Sequence, residues 1–143
     1  MPPVIHHLQV TVPDVKQAEP FYDQLFTILG YDIQQKYNGY LEHSDMQIVE
    51  YIGSNFDFGI CSPKAEFKGQ KVDSRRPGAL QHVAFACESN KEVDELFERL
   101  KDIEGISILH GEPREYREKI APGYYALFFE TIDGIRFELF HHA

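Results

Sequence analysis

An internal repeat constrains this chain more than any single motif. Leu80-Gln81-His82-Val83 echoes Ile5-His6-His7-Leu8 at an offset of 75 positions (82 − 7). The offset persists through the stretch that follows: Phe21 matches Leu96, Tyr22 matches Phe97, Leu25 matches Leu100 and Ile28 matches Ile103. Gly30 and Gly105 then hold the same place, as do Ile33 and Ile108. A register kept from strand through helix to a closing glycine marks a duplicated strand–helix–strand unit. A length of 143 residues suits one domain built from two such modules. The expected division is a first module over 4–61, a linker over 62–79 and a second module over 80–142.

The first module opens with VIHHLQVTV, which alternates as a strand does. Leu8, Val10 and Val12 share one face with His6; Ile5, His7, Gln9 and Thr11 share the other. Pro13-Asp14 ends the strand, and Asp14 is placed to cap a helix over 15–29. Ala18, Phe21, Tyr22, Leu25, Ile28 and Leu29 form its apolar stripe, Pro20 is expected to delay its start, and Gly30 closes it. Strand-like runs follow at 31–37, 40–43, 46–52 and 56–61, with Asn38-Gly39 read as a break. The polar stretch 62–79 gathers Lys64, Lys68, Lys71, Arg75 and Arg76, which reads as a solvated linker or an anion-binding rim.

The second module repeats the plan, with a strand near 106–110 and a loop over 111–123. Within that loop Arg114, Tyr116, Arg117 and Lys119 are candidates for a lid. The segment YYALFFETIDGIRFELF then reads as a hairpin, because Asp-Gly supplies the positive φ of a tight turn. Each module is thus one strand, one helix and about three strands, an α+β plan in which the helix covers one side of a sheet.

The uncovered side collects the chemistry. His7 shares its face with Gln9 and Thr11, and His82 shares its face with Ala84 and Ala86. Glu138 lies opposite Ile135, Phe137 and Leu139, so it too faces away from the helix. A carboxylate in so apolar a strand needs a partner. A salt bridge or a solvated face would satisfy Glu138 alone; two imidazoles in duplicated slots suggest a facial triad of metal ligands instead. Tyr124 and Arg136 are the candidate catalytic side chains, as a phenolic donor and as a partner for an anionic substrate or for Glu138 itself. His43 reads as a turn residue, His110 as a strand end, and His141-His142 as a fraying terminus.

Composition removes several classes. A net charge of −9 argues against general nucleic-acid binding. No apolar run reaches a membrane span, and MPPVIHHLQV does not read as a signal peptide. Cys61 and Cys87 suggest neither a disulfide framework nor a cysteine zinc site, so a cytoplasmic setting is expected.

The ordered motifs I-H-H-L-Q-V-T-V, L-Q-H-V-A-F, P-G-Y-Y-A-L-F-F and D-G-I-R-F-E-L resemble the vicinal oxygen chelate superfamily. That superfamily includes glyoxalase I, extradiol dioxygenases, methylmalonyl-CoA epimerase, and the fosfomycin and bleomycin resistance proteins. The resemblance spans essentially the whole chain. It implies two tandem βαβββ modules forming an open cupped mixed sheet, with helices on the outer face. It also implies one divalent metal (Zn, Fe, Mn, Ni or Co) held by His7, His82 and Glu138, a small-molecule substrate and a homodimer.

Two departures bear on function. Aligning FDFGIC with IRFELF puts Gly59 opposite Glu138 (138 − 59 = 79), where glyoxalase I has a fourth carboxylate ligand. Phe128 stands where dioxygenases and fosfomycin-type enzymes commonly carry a Tyr. The resemblance therefore implies a metal-dependent enzyme acting on a small oxygen-rich substrate, by a lyase, isomerase, transferase or dioxygenase step. The alternative it offers is a metal-free sequestration protein of the bleomycin-resistance type.

Overall fold

A computed structural model describes residues 1–116 and 121–143. The chain divides into two compact units, Met1–Val72 and Asp73–Ala143. Each carries a four-stranded mixed sheet and one long helix, so the chain is α+β with two tandem modules. No helix among the described residues is long and apolar enough to cross a membrane.

In the first unit, β1 (His7–Thr11) leads into α1 (Val15–Ile28), followed by β2 (Tyr37–Leu41), β3 (Met46–Tyr51) and β4 (Asp57–Cys61). The sheet order is β1-β4-β3-β2, with β1 parallel to β4 and the other pairs antiparallel. The Asp14 side chain caps α1 by accepting from the Gln17 backbone N–H. Pro20 does not delay the start: the helix already runs from Val15, and the proline sits inside it. The cap fixes the beginning, and Pro20 forfeits only its own donor to the preceding turn. Gly30 follows the C-cap at φ +93°, a left-handed conformation that glycine adopts without steric cost.

Phe21, Tyr22, Leu25 and Phe26 of α1 are buried. The Phe26 ring stacks on Tyr51 at 4.7 Å and on Phe58 at 5.1 Å. Losing a ring so enclosed costs about 3–5 kcal/mol. A polar clamp adds to this packing. Lys36 Nζ lies 2.8 Å from Glu19 and 3.0 Å from Asp23, and the Tyr51 hydroxyl donates to Asp23 at 2.8 Å.

The run 31–37 is not the expected strand. Asp32 instead accepts from the Gln34 N–H and caps a short 3₁₀ turn over Ile33–Gln35. Nor do Asn38-Gly39 break the chain; they lie inside β2, opposite Val49 and Ile48. Asn38 spends its amide on Glu19, and the Tyr37 phenol lies over Gly39, so tertiary partners override the turn signal.

In the second unit, β5 (Val83–Ala86) precedes α2 (Asn90–Leu100), β6 (Ser107–Glu115), β7 (Tyr124–Glu130) and β8 (Arg136–His142). The order β5-β8-β7-β6 repeats that of the first sheet. Val93 and Leu100 of α2 are buried, as are Leu127, Phe129, Ile135, Phe137 and Leu139 of the hairpin. Gly134 closes that hairpin at φ +84°.

Strand β6 runs on through Glu115, where a loop was expected. His110 (φ 62°) and Gly111 (φ 80°) form an irregularity, after which Arg114 and Glu115 pair with Ala126 and Tyr125. Arg114 and Tyr116 are therefore not lid residues. The Arg114 guanidinium lies 4.5 Å over the Tyr116 ring, which is buried edge-on against Phe128. Arg117 and Lys119 lie outside the described residues. His141-His142 do not fray either: both belong to β8, and His141 Nδ1 donates to the Cys87 carbonyl at 3.0 Å.

Candidate functional site

The second module brings three of the expected residues together. His82 immediately precedes β5, and Glu138 lies in β8 beside Ala84. The alternation of β8 turns Phe137 and Leu139 into the core and places Glu138 on the other face. Glu138 is nonetheless only 4% exposed. Tyr124, on β7, donates its phenolic hydrogen to Glu138 Oε1, and its ring stacks on Phe140 at 5.0 Å. Burial first, and then the Glu138 carboxylate, hold the Tyr124 phenol well above the usual tyrosine range. Tyr124 is thus a fixed donor at neutral pH, not a base.

His82 Nε2 lies 3.3 Å from the other carboxylate oxygen, Oε2. Its Nδ1 is in contact with Gln81 Oε1, an acceptor, so the ring hydrogen belongs on Nδ1. That tautomer turns the Nε2 lone pair toward a carboxylate oxygen. Two electron-rich atoms so placed are stabilised by a proton or a cation held between them. Two ligands each about 2.1 Å from an ion stand roughly 3.0–3.4 Å apart, so the pair fits a divalent metal. Imidazole nitrogen with carboxylate oxygen suits Zn, Fe, Mn, Ni or Co. Among the described residues, no cluster of three or more His, Cys, Asp or Glu is close enough to hold a metal.

Arg136 is not brought to this pair. No hydrogen bond or ion pair joins it to Glu138, and its buried Nε has no hydrogen-bond partner among the described residues. It pairs in register with Glu130 on β7.

In the first module, His7 opens β1 opposite Asp57. Its Nδ1 lies 3.1 Å from Nδ1 of His6, which is itself exposed and 3.8 Å from Asp57. Two positions on, Gln9 lies beside Gly59 just as Ala84 lies beside Glu138. The registers therefore agree that Gly59 and Glu138 are corresponding positions. Sequence reasoning missed the residue that covers this glycine. Glu50 on β3 pairs with Gly59 and accepts from Gln9 Nε2 at 3.2 Å. It is buried, and burial raises its carboxyl above the ordinary glutamate value despite the Gln9 bond. The signal was present: Glu50 stands among Ile48, Val49 and Tyr51, as Glu138 stands among Phe137, Leu139 and Phe140.

The other candidates are quieter. Lys68 of the basic stretch stands 3.9 Å from Asp14, which offsets part of its charge. Cys61 and Cys87 are free thiols.

Comparison with known proteins agrees with this architecture. The profile of the Glyoxalase/Bleomycin resistance protein/Dioxygenase superfamily matches residues 4–139. The uncharacterized protein YqjT of Bacillus subtilis is 27% identical over 135 residues, covering 94% of this chain and 96% of that protein. A glyoxalase candidate from Bacillus halodurans superposes with a TM-score of 0.72 at 26% identity, covering 96% of this chain and 94% of the other. The fosfomycin resistance protein FosX of Listeria monocytogenes has the same fold (TM-score 0.64, 19% identity, 100% and 96% coverage). With its duplicated modules and a family match over nearly its whole length, the chain belongs to the Glyoxalase/Bleomycin resistance protein/Dioxygenase superfamily.

Proposed function

We propose that this protein is a metal-dependent enzyme of the superfamily, with His7, His82 and Glu138 as the ligands of one divalent ion. One observation carries the reading: His82 Nε2 and Glu138 Oε2 face each other at 3.3 Å, while Gln81 and Tyr124 occupy the remaining positions on each side chain. Outer hydrogen bonds of this kind fix the tautomer and orientation of metal ligands. The bound ion would polarise adjacent oxygens of a small substrate as a Lewis acid. The chain's own residues would hold that centre rigid. Gln81 keeps Nε2 of His82 free to ligate, and Tyr124 anchors the buried carboxylate. Ala84 and Ala86, exposed on β5, present only small side chains beside His82 and Glu138.

Metal content by mass spectrometry, on tag-free protein beside His82→Ala and Glu138→Gln, tests the reading. The expected result is about one equivalent in the parent, lost in both variants with their folds retained. Absence of metal from all three, even after reconstitution with Zn, Mn, Ni, Co or Fe(II), would sink it. A metal-free binding protein of the bleomycin-resistance type would then be the better account.

A further inference from the structure

The second module holds one cationic side chain with a buried donor and no acceptor. Arg136 Nε is shielded from solvent and meets no hydrogen-bond partner among the described residues, while the residue as a whole is half-exposed. Its guanidinium forms no ion pair with them either. A buried donor without an acceptor has given up its water with no return, and native structures rarely keep one without a reason. A chain of net charge −9 is not short of acids, so the lack of one here is a property of the place.

Two acids lie on the strands around it, and neither takes its charge. Glu130 stands opposite Arg136 in register on β7, yet the two form no ion pair. Glu138 lies two positions along β8, with Oε1 bonded by the Tyr124 hydroxyl and Oε2 facing the His82 ring at 3.3 Å. Alternation puts Arg136 and Glu138 on the same face of the sheet, opposite Phe137 and Leu139. Their positions are about 7 Å apart along the strand. At that distance a cation can hold the far end of a ligand whose near end sits at the His82–Glu138 pair. A guanidinium takes an oxyanion through two parallel N–H bonds, and one of them would give Nε its acceptor.

We propose that Arg136 is the anion-recognising residue of this site and that the substrate is a small acid. Its oxyanionic group, a carboxylate or a phosphonate, is held by Arg136 about 7 Å from the end that meets the His82–Glu138 pair. Arg136 selects and orients the substrate and takes no part in making or breaking bonds. All three side chains belong to the second module. The spacing rests on the metal-centre reading above.

Titration calorimetry on zinc-loaded protein compares three hydroxamates that chelate a metal alike. Acetohydroxamic acid has no anionic tail, succinic monohydroxamic acid ends in a carboxylate, and 3-phosphonopropanohydroxamic acid ends in a phosphonate. The parent is expected to bind a tailed probe about tenfold to a hundredfold tighter than acetohydroxamic acid, and the better tail names the anion. The net charge of −9 disfavours both tails, so a preference for either reports a local cation. Arg136→Gln is expected to erase the preference with zinc content and acetohydroxamic acid affinity unchanged, and Arg136→Lys to keep part of it. Arg136→Met repeats the measurement if the Gln variant fails to fold. A parent that binds all three probes alike overturns the proposal, as does a preference that survives removal of the guanidinium. Loss of zinc from a folded Arg136 variant overturns it by making Arg136 a support of the metal centre. A parent that holds zinc but binds none of the probes overturns it as well. A parent that takes up no zinc overturns the metal-centre reading itself, and this role with it.

Discussion

Tyr124 donates its phenolic hydrogen to Oε1 of Glu138, and so one edge of a carboxylate is occupied while the other faces His82. The two residues come from neighbouring antiparallel strands, and the aromatic stack on Phe140 fixes the phenol's approach. Tyr124→Phe keeps the ring and removes only the donor. With Glu138 almost wholly buried, the loss is expected to cost about 1–3 kcal/mol of stability. On the metal centre proposed above, affinity is expected to fall about tenfold to a hundredfold, because Glu138 would lose its orienting partner. Urea titration and competition with a chromogenic chelator read the two effects. Unchanged affinity in a destabilised variant would reduce Tyr124 to a packing residue.

The two thiols, Cys61 buried and Cys87 half-buried, make a pH prediction. Burial, and then the nearby Glu50 charge, push Cys61 from 9.0 up to about 11. Cys87 rises to about 11 through burial and Glu92, less a smaller opposing effect of the Phe140 backbone. The folded state therefore holds thiol protons that the unfolded chain releases. The sign follows: this contribution is fully present below pH 9.0 and is lost as pH rises through about 11. Lys and Tyr groups titrate in the same window, so the measurement is a difference. Urea midpoints from pH 8 to 11 should decline less for a Cys61→Ala, Cys87→Ala double variant than for the parent. Parallel declines would show that the thiols carry no such linkage.

Much of this was legible because duplication and alternation are strong constraints. The 75-residue offset fixed two strand–helix units, and parity alone put Glu138 on the face opposite Phe137 and Leu139. What stayed hidden depended on partners far away in sequence. Asn38-Gly39 looks like a turn until Glu19 takes the amide and Tyr37 covers the glycine. The end of β6 looks like a loop because His110 and Gly111 interrupt it before its pairing with β7 resumes. Gly59 looked like an empty slot for a similar reason. Alignment compares one strand with another and does not see a side chain arriving from the strand beside it.

That last relationship yields a prediction about packing that is independent of metal or substrate. Gly59 is not among the glycines with positive φ, so an added methyl meets no backbone penalty there. Its obstacle is the Glu50 carboxylate, with Gln9 Cγ at 3.1 Å on the other side. Gly59→Ala is expected to destabilise the parent by about 1–3 kcal/mol through this overpacking. In a Glu50→Ala background the same methyl enters vacated space and should cost much less. The double-mutant cycle should therefore show a favourable coupling of about 0.5–3 kcal/mol between the two substitutions. Movement of the flexible Glu50 end out of the way of the methyl would disturb the hydrogen bond it accepts from Gln9. Costs that simply add, to within about 0.5 kcal/mol, would mean that the carboxylate does not lie over Gly59 in solution. The reading of Glu50 as the cover of that slot would then fall.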